Sequence, residues 1–190
     1  MLVVFTLTTE EILDRNAEIE SILGKIAEGD TQSVGVLYDF IKTDVYAYAL
    51  SKTGNKADAD DIMQDTFVRI FKYAKRYIPK GKPMAWIITI ELNVIRRFYQ
   101  INSRTVSLDA AFDLVSTDNP ERTAINNQLV RQLLSNLNED EREIVTLHIV
   151  TGLKHREIAK LLQKPLSTVL SKYNRAIKKL QWIVKEGKDA

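Results

Sequence analysis

The chain has 190 residues, of which 45% are hydrophobic and 27% charged, with seven Gly, four Pro and no Cys. That composition suits one or two modest globular domains and excludes a disordered tail or a collagen-like fibre. The missing cysteines remove disulfide scaffolds, thiolate zinc sites and thiol nucleophiles. With His148 and His155 as the two histidines of the chain, no metal centre or other cofactor is expected. No apolar run approaches the roughly 20 residues of a membrane span, and the opening MLVVFTLTTEE lacks the basic start of a signal peptide, so a cytoplasmic location is expected.

The formal net charge of +2 is a cancellation. Residues 1–71 hold six basic and thirteen acidic residues, residues 72–105 eight and one, residues 106–128 one and four, and residues 129–190 twelve and seven. Two basic blocks separated by an acidic connector suit polyanion-facing surfaces, and the acidic first block suits a different partner, although charge runs also serve as solvated helix faces.

Helical periodicity dominates in chain order. After a short strand-like stretch at Leu2–Leu7 and an unassigned N-terminal extension over residues 1–18, the apolar positions Ile22, Ile26, Val34, Leu37, Ile41, Val45 and Tyr48 recur at mostly threes and fours. They predict two helices broken at Gly29-Asp30. Asp58 is the predicted N-cap of a third helix reaching about Tyr77, with Met63, Phe67, Ile70 and Ala74 on its core stripe. Pro79-Lys80-Gly81-Lys82-Pro83 stops it. A fourth helix is predicted from Met84 to about Gln100, with Trp86, Ile87, Ile90, Val94 and Phe98 on one stripe. Residues 102–120, rich in Ser, Asp, Thr and Asn and ending at Pro120, read as an interdomain linker, which divides the chain into domains at 19–101 and 121–190.

In the second domain a helix is plausible from Glu121 to Leu137. Asn138 then caps a helix over Glu141–Val150, Gly152 ends it in a left-handed conformation, and helices follow over Lys154–Leu162 and Ser167–Lys179. This is helix-turn-helix architecture, with Ile144, Leu147, Ile158, Leu161, Leu162, Val169, Tyr173 and Ile177 as the predicted core. The last helix carries Lys172, Arg175, Lys178 and Lys179, and no acidic residue lies between Pro165 and Val184. The helix shaped for a major groove therefore also bears the phosphate-seeking charge.

The run GLKHREIAKLLQKPLSTVLSKYNRAIKKL, Gly152 to Leu180, resembles the promoter-binding fourth region of bacterial sigma factors. DADDIMQDTFVRIFKYAKRY, Asp58 to Tyr77, resembles their polymerase-binding second region, and KPMAWIITIELNVIRR, Lys82 to Arg97, is similar to the adjoining segment that melts and reads the minus-10 element. Three motifs in the right order cover about three quarters of the chain. Two domains with no third between them resemble the extracytoplasmic-function branch of the sigma-70 family. The resemblance implies an all-α fold of two helical domains joined by a flexible linker, with core RNA polymerase, promoter DNA and an anti-sigma factor as partners.

It also implies roles for particular residues. Asp61, Gln64, Asp65 and Phe71 would contact the polymerase. Trp86, Asn93, Arg96 and Arg97 would meet the minus-10 element, where aromatic faces and amides beside cations hold unpaired bases. Trp86 shares a stripe with Ile90, so a core position suits it as well. Thr168, Ser171, Lys172, Asn174, Arg175 and Lys178 would contact the minus-35 element, an Arg being suited to bidentate pairing with guanine.

Three residues depart from the family pattern. Thr89 and Glu91 stand where basic residues are common, and a carboxylate facing DNA would repel it. Leu170 also replaces a usual basic residue, and could touch a thymine methyl or pack inward. His155 reads as a backbone-proximal polar residue rather than a ligand. No constellation supports catalysis, since no Ser or Thr has a nearby activating His and no Gly-rich phosphate loop occurs. The rival reading is a stand-alone helix-turn-helix regulator whose first domain dimerises or senses a ligand, and which would bind a two-fold operator by itself. A polymerase-binding protein that has lost promoter recognition is a third.

Overall fold

A computed structural model describes residues 9–105 and 136–186, and every regular element among them is helical. The strand-like stretch at Leu2–Leu7 and most of the region read as linker and following helix lie outside the described residues. The helices are α1 (Thr9–Glu28), α2 (Gln32–Thr53), α3 (Lys56–Tyr73), α4 (Pro83–Thr105), α5 (Glu139–Ile149), α6 (His155–Leu161) and α7 (Leu166–Glu186), with one 3-10 turn at Ala74–Arg76.

Local chemistry sets most of the helix ends. Gly29, with φ of 103°, closes α1, and the Asp30 carboxylate accepts from the Gln32 N–H at 2.9 Å and the Ser33 N–H at 3.4 Å, covering orphan donors at the start of α2, and from the Ser33 hydroxyl at 2.6 Å. At α3 the cap is Asn55, whose side chain accepts from the Ala57 and Asp58 amides. The predicted cap, Asp58, falls instead inside the first turn, because Asn55 already holds the extended backbone of a cap one turn earlier. At α5 a full capping box forms: the Glu141 N–H donates to Asn138 Oδ1 at 2.9 Å and the Asn138 N–H to Glu141 Oε2 at 3.2 Å. Gly152 takes the left-handed conformation, φ 72°, that the turn after α5 requires. Helix α1 begins at Thr9 and α4 runs on to Thr105, so both pass beyond the bounds predicted from apolar spacing.

The periodic apolar residues meet in a core. Leu37, Ile41, Val45 and Tyr48 of α2, Ile62 and Ile70 of α3, and Ile87, Ile88 and Ile95 of α4 are almost completely buried. Ile144 and Leu147 of α5, Ile158 of α6 and Val169 of α7 belong to the same continuous cluster. The helix-turn-helix thus packs directly on the first four helices, α2 against α5 and α4 against α6. Ala176, which the core pattern missed, is fully buried with Leu137 and Val145 in a satellite cluster, while Leu161, Leu162, Tyr173 and Ile177 are half-buried.

Candidate protein and nucleic-acid interfaces

On α3 the buried face is Ile62, Met63, Thr66, Phe67 and Ile70. Asp61, Gln64, Asp65 and Phe71 are all exposed, and their three- and four-residue spacing places them on one strip along the opposite face. Val68 shares this strip and is 63% exposed, more than any other residue of the helix's apolar set. The sequence reading passed over it, although an apolar residue seven after Asp61 on a polar face was a visible signal. Asp65 is held by Arg69 at 3.1 Å.

On α4 the strip is Trp86, Thr89, Asn93, Arg96 and Arg97. Asn93, Arg96 and Arg97 are exposed, and Trp86 is half-buried with its ring tilted against Tyr77, centroids 5.0 Å apart. The preceding loop is fixed through Glu20 of α1, whose Oε1 accepts from the Tyr77 hydroxyl at 2.5 Å, the Gly81 N–H at 2.8 Å and the Lys80 N–H at 3.0 Å. Partial burial works against the charged form of Glu20, but these donors together hold its carboxyl below the usual value. Trp86, in the first turn of α4, is thereby presented half-buried beside a braced loop. Thr89 turns its hydroxyl back to the Ala85 carbonyl at 2.6 Å.

Glu91 does not face outward. It is fully buried beside Ala49 and Asp44 of α2, and burial pushes its carboxyl well above the usual range. The repulsion expected from the sequence therefore does not arise, because Glu91 points to the opposite side of α4 from Asn93, Arg96 and Arg97.

On α7, Ser171, Asn174, Arg175 and Lys178 are exposed and Thr168 is half-buried at the start of the helix. Lys172 is the exception. Its Nζ lies 2.6 Å from Asp140 Oδ2, while Lys164 holds the other oxygen of the same carboxylate at 2.5 Å. These two hydrogen bonds, Lys164 first, bring the Asp140 carboxyl down to about 2. Lys179 is likewise bound to the buried Glu141 at 2.7 Å. The cations that read as one basic face thus divide: Lys172 and Lys179 strap α7 to α5, and Arg175 and Lys178 remain at the surface. Leu170 is 39% exposed, so it does not pack inward.

His155 stacks on His148 with centroids 4.2 Å apart, and Tyr173 packs edge-on against both rings. The backbone contact expected of His155 belongs to His148, whose Nδ1 is 2.8 Å from the Leu153 carbonyl oxygen. Burial, and secondarily His148, lowers the pKa of His155. The trio locks α6 to α5 and α7, and among the described residues no cluster of acidic or histidine side chains could hold a metal ion. No described helix is long and apolar enough to cross a membrane.

Residues 37–105 match the family described as sigma-70 region 2 and residues 127–180 match sigma-70, region 4. The chain is 30% identical over 136 residues to the extracytoplasmic-function RNA polymerase sigma factor EcfG of Rhodopseudomonas palustris, covering 70% of this chain and 75% of that protein. It is 23% identical to the sigma factor BldN of Streptomyces coelicolor over 87% of this chain, and spans 65% of BldN's length. Among solved structures it resembles CnrH, determined in complex with the cytosolic domain of CnrY, with a TM-score of 0.62, 23% identity and coverage of 88% of this chain and 97% of that one. It also resembles the sigma factor RpoE of Bartonella quintana, determined with the anti-sigma factor NepR, with a TM-score of 0.60, 21% identity and coverage of 78% and 94%. The chain belongs to the extracytoplasmic-function RNA polymerase sigma factors, transcription initiation factors of the sigma-70 family.

Proposed function

We propose that this sigma factor joins core RNA polymerase through the exposed α3 strip of Asp61, Gln64, Asp65, Val68 and Phe71. In this reading it opens the minus-10 element with Trp86, Asn93, Arg96 and Arg97 of α4, and reads the minus-35 element with Thr168, Ser171, Asn174, Arg175 and Lys178 of α7. The observation that carries the reading is the presence in one chain of an acidic and apolar exposed strip and two separate cationic ones, each on the outward face of a helix whose other face is core. A stand-alone regulator has no use for the α3 strip.

Bond making and breaking would belong to the polymerase, and the sigma factor would act where that enzyme works, in the cytoplasm. Unpaired bases need stacking surfaces and amide or cationic partners, which Trp86, Asn93 and the paired arginines supply. Arg175 has the guanidinium fork that pairs with guanine, whereas Lys178 offers a point charge to phosphate. Lys172 contributes to DNA contact only to the extent that phosphate displaces Asp140. The similar RpoE was solved in complex with an anti-sigma factor, and an anti-sigma partner of this chain would act by covering these strips. The test is to mix the purified chain with core polymerase and a promoter library: co-purification and initiation at defined start sites are expected. Operator binding as a dimer without polymerase would overturn the reading.

A further inference from the structure

Helix α7 sets its charge and its apolar surface in different places. Val169 and Ala176 are fully buried, and the sides of the helix turned away from them carry Ser167, Leu170, Ser171, Asn174, Arg175 and Lys178, all exposed. Leu170, Asn174 and Lys178 follow one another at intervals of four and form one row. Between Leu166 and Asn174 the sequence holds one cation, Lys172, and Asp140 engages its Nζ at 2.6 Å. The leading half of the helix therefore offers neutral groups, and outward positive charge begins at Arg175.

Leu170 is the apolar member of this strip. It is 39% exposed and joins neither apolar cluster among the described residues. A single exposed leucine is ordinary on a protein surface, but this one is the fifth residue of α7, and in a helix-turn-helix the N-terminal residues of the second helix approach base edges. Leucine has no donor to offer a phosphate. Among the hydrogen-bonding atoms that base pairs display in the major groove there is one apolar group, the C5-methyl of thymine.

We propose that Leu170 is a specificity-determining residue, which selects an A·T pair in the minus-35 element by packing on the thymine C5-methyl. The proposal rests on the promoter reading above and deepens it from an element to a base-pair preference. Asn174, one turn further along the same row, carries an amide suited to bidentate pairing with adenine. Packing on a methyl excludes water from two apolar groups, and burying one methyl corresponds to about a three- to fivefold gain in affinity. No charge is involved, so the gain is insensitive to salt, unlike a phosphate contact by Lys178.

Deoxyuridine isolates this contact, because it pairs with adenine as thymidine does and lacks only the methyl group. Promoters at which the full-length chain initiates with core polymerase would be drawn from a library. Each thymine of the minus-35 element, on both strands, is then replaced singly by deoxyuridine, and competition for holoenzyme is measured with the wild type and with Leu170→Ala. At one thymine, loss of the methyl should weaken wild-type binding about three- to fivefold and Leu170→Ala binding less than ~1.5-fold. Leu170→Lys should abolish the methyl preference and steepen the dependence of log affinity on log salt by about one phosphate contact. Circular dichroism checks that both variants remain helical.

A minus-35 element without thymine would overturn the proposal, as would methyl loss that has no effect at any thymine. An effect of equal size in the wild type and Leu170→Ala would overturn it too, because it would report duplex shape in place of contact. Failure of the wild type to initiate at any promoter would instead overturn the promoter reading.

Discussion

Helices α4 and α7 both carry net positive charge but hold it differently. Among the described residues Arg96 and Arg97 of α4 have no carboxylate within ion-pair distance, whereas α7 commits Lys172 to Asp140 and Lys179 to Glu141, leaving Arg175 and Lys178 outward. The difference follows from the neighbours. The inward face of α4 packs on α3 and α2 and buries one acid, Glu91, but α7 crosses the acidic first turn of α5, Glu139-Asp140-Glu141. A cation on a DNA-binding helix is therefore available for phosphate only after the fold's own carboxylates have been satisfied.

The largest effect is expected where the two helices are alike, in the residues beneath them. Ile95→Ala, at a site 2% exposed under α4, should destabilise by about 2–5 kcal/mol through lost burial and the cavity left behind, seen as a lower midpoint in chemical denaturation. Next comes Arg175→Ala, expected to weaken minus-35 recognition by about 1–3 kcal/mol while leaving core polymerase binding intact, measured by promoter competition with the holoenzyme. Loss of core binding in that variant would break the assignment of α7.

The division among the lysines gives a smaller and sharper test. Lys178→Ala should lower the dependence of log affinity on log salt by about one phosphate contact. Lys172→Ala should change that slope less and instead reduce stability, because it removes a strap between α5 and α7. Asp140, held at about 2, has a depressed pKa, so its stabilising contribution is present above its ordinary value near 3.8 and is lost as pH falls from there toward 2. Asp140→Asn should remove that acid-side loss. Equal salt slopes for the two lysine variants would erase the proposed difference between them.

Glu91 provides the smallest and the opposite pH effect. Its pKa is raised from the usual 4.5 by burial, with Asp44 adding like charge from α2. Such a group stabilises fully below 4.5 and loses that contribution as pH rises through its elevated folded value. Near it lie Tyr48 and Asp44, the latter paired with Arg15 of α1. Glu91→Gln should therefore flatten the fall in stability on the alkaline side, read by denaturation midpoints across pH.

Much of this was legible in the chain because it depends on residues a few positions apart. Threes-and-fours spacing located α1 to α4 and the buried Leu37, Ile41, Val45 and Ile70. The Asn138 cap and Gly152 bounded α5 to within two residues because caps and left-handed turns are local chemistry. The outward placement of Asp61, Gln64 and Asp65 followed from the same periodicity, whereas Phe71 was marked by the family resemblance alone. Asn55 displaced Asp58 as the cap of α3 because both are capping residue types, and only the extended backbone at Asn55 distinguishes them.

The sequence by itself determined the helices, their polar and apolar faces and the order of the three sigma motifs, all properties of short spans. Only the tertiary structure decided which charges are free. Lys172 finds Asp140 across 32 residues and Tyr48 finds Glu143 across 95, and Glu91 turns inward because its position on α4 falls under α2. A helical wheel gives a residue's direction from its own axis, but what lies in that direction is set by packing between elements distant in the chain.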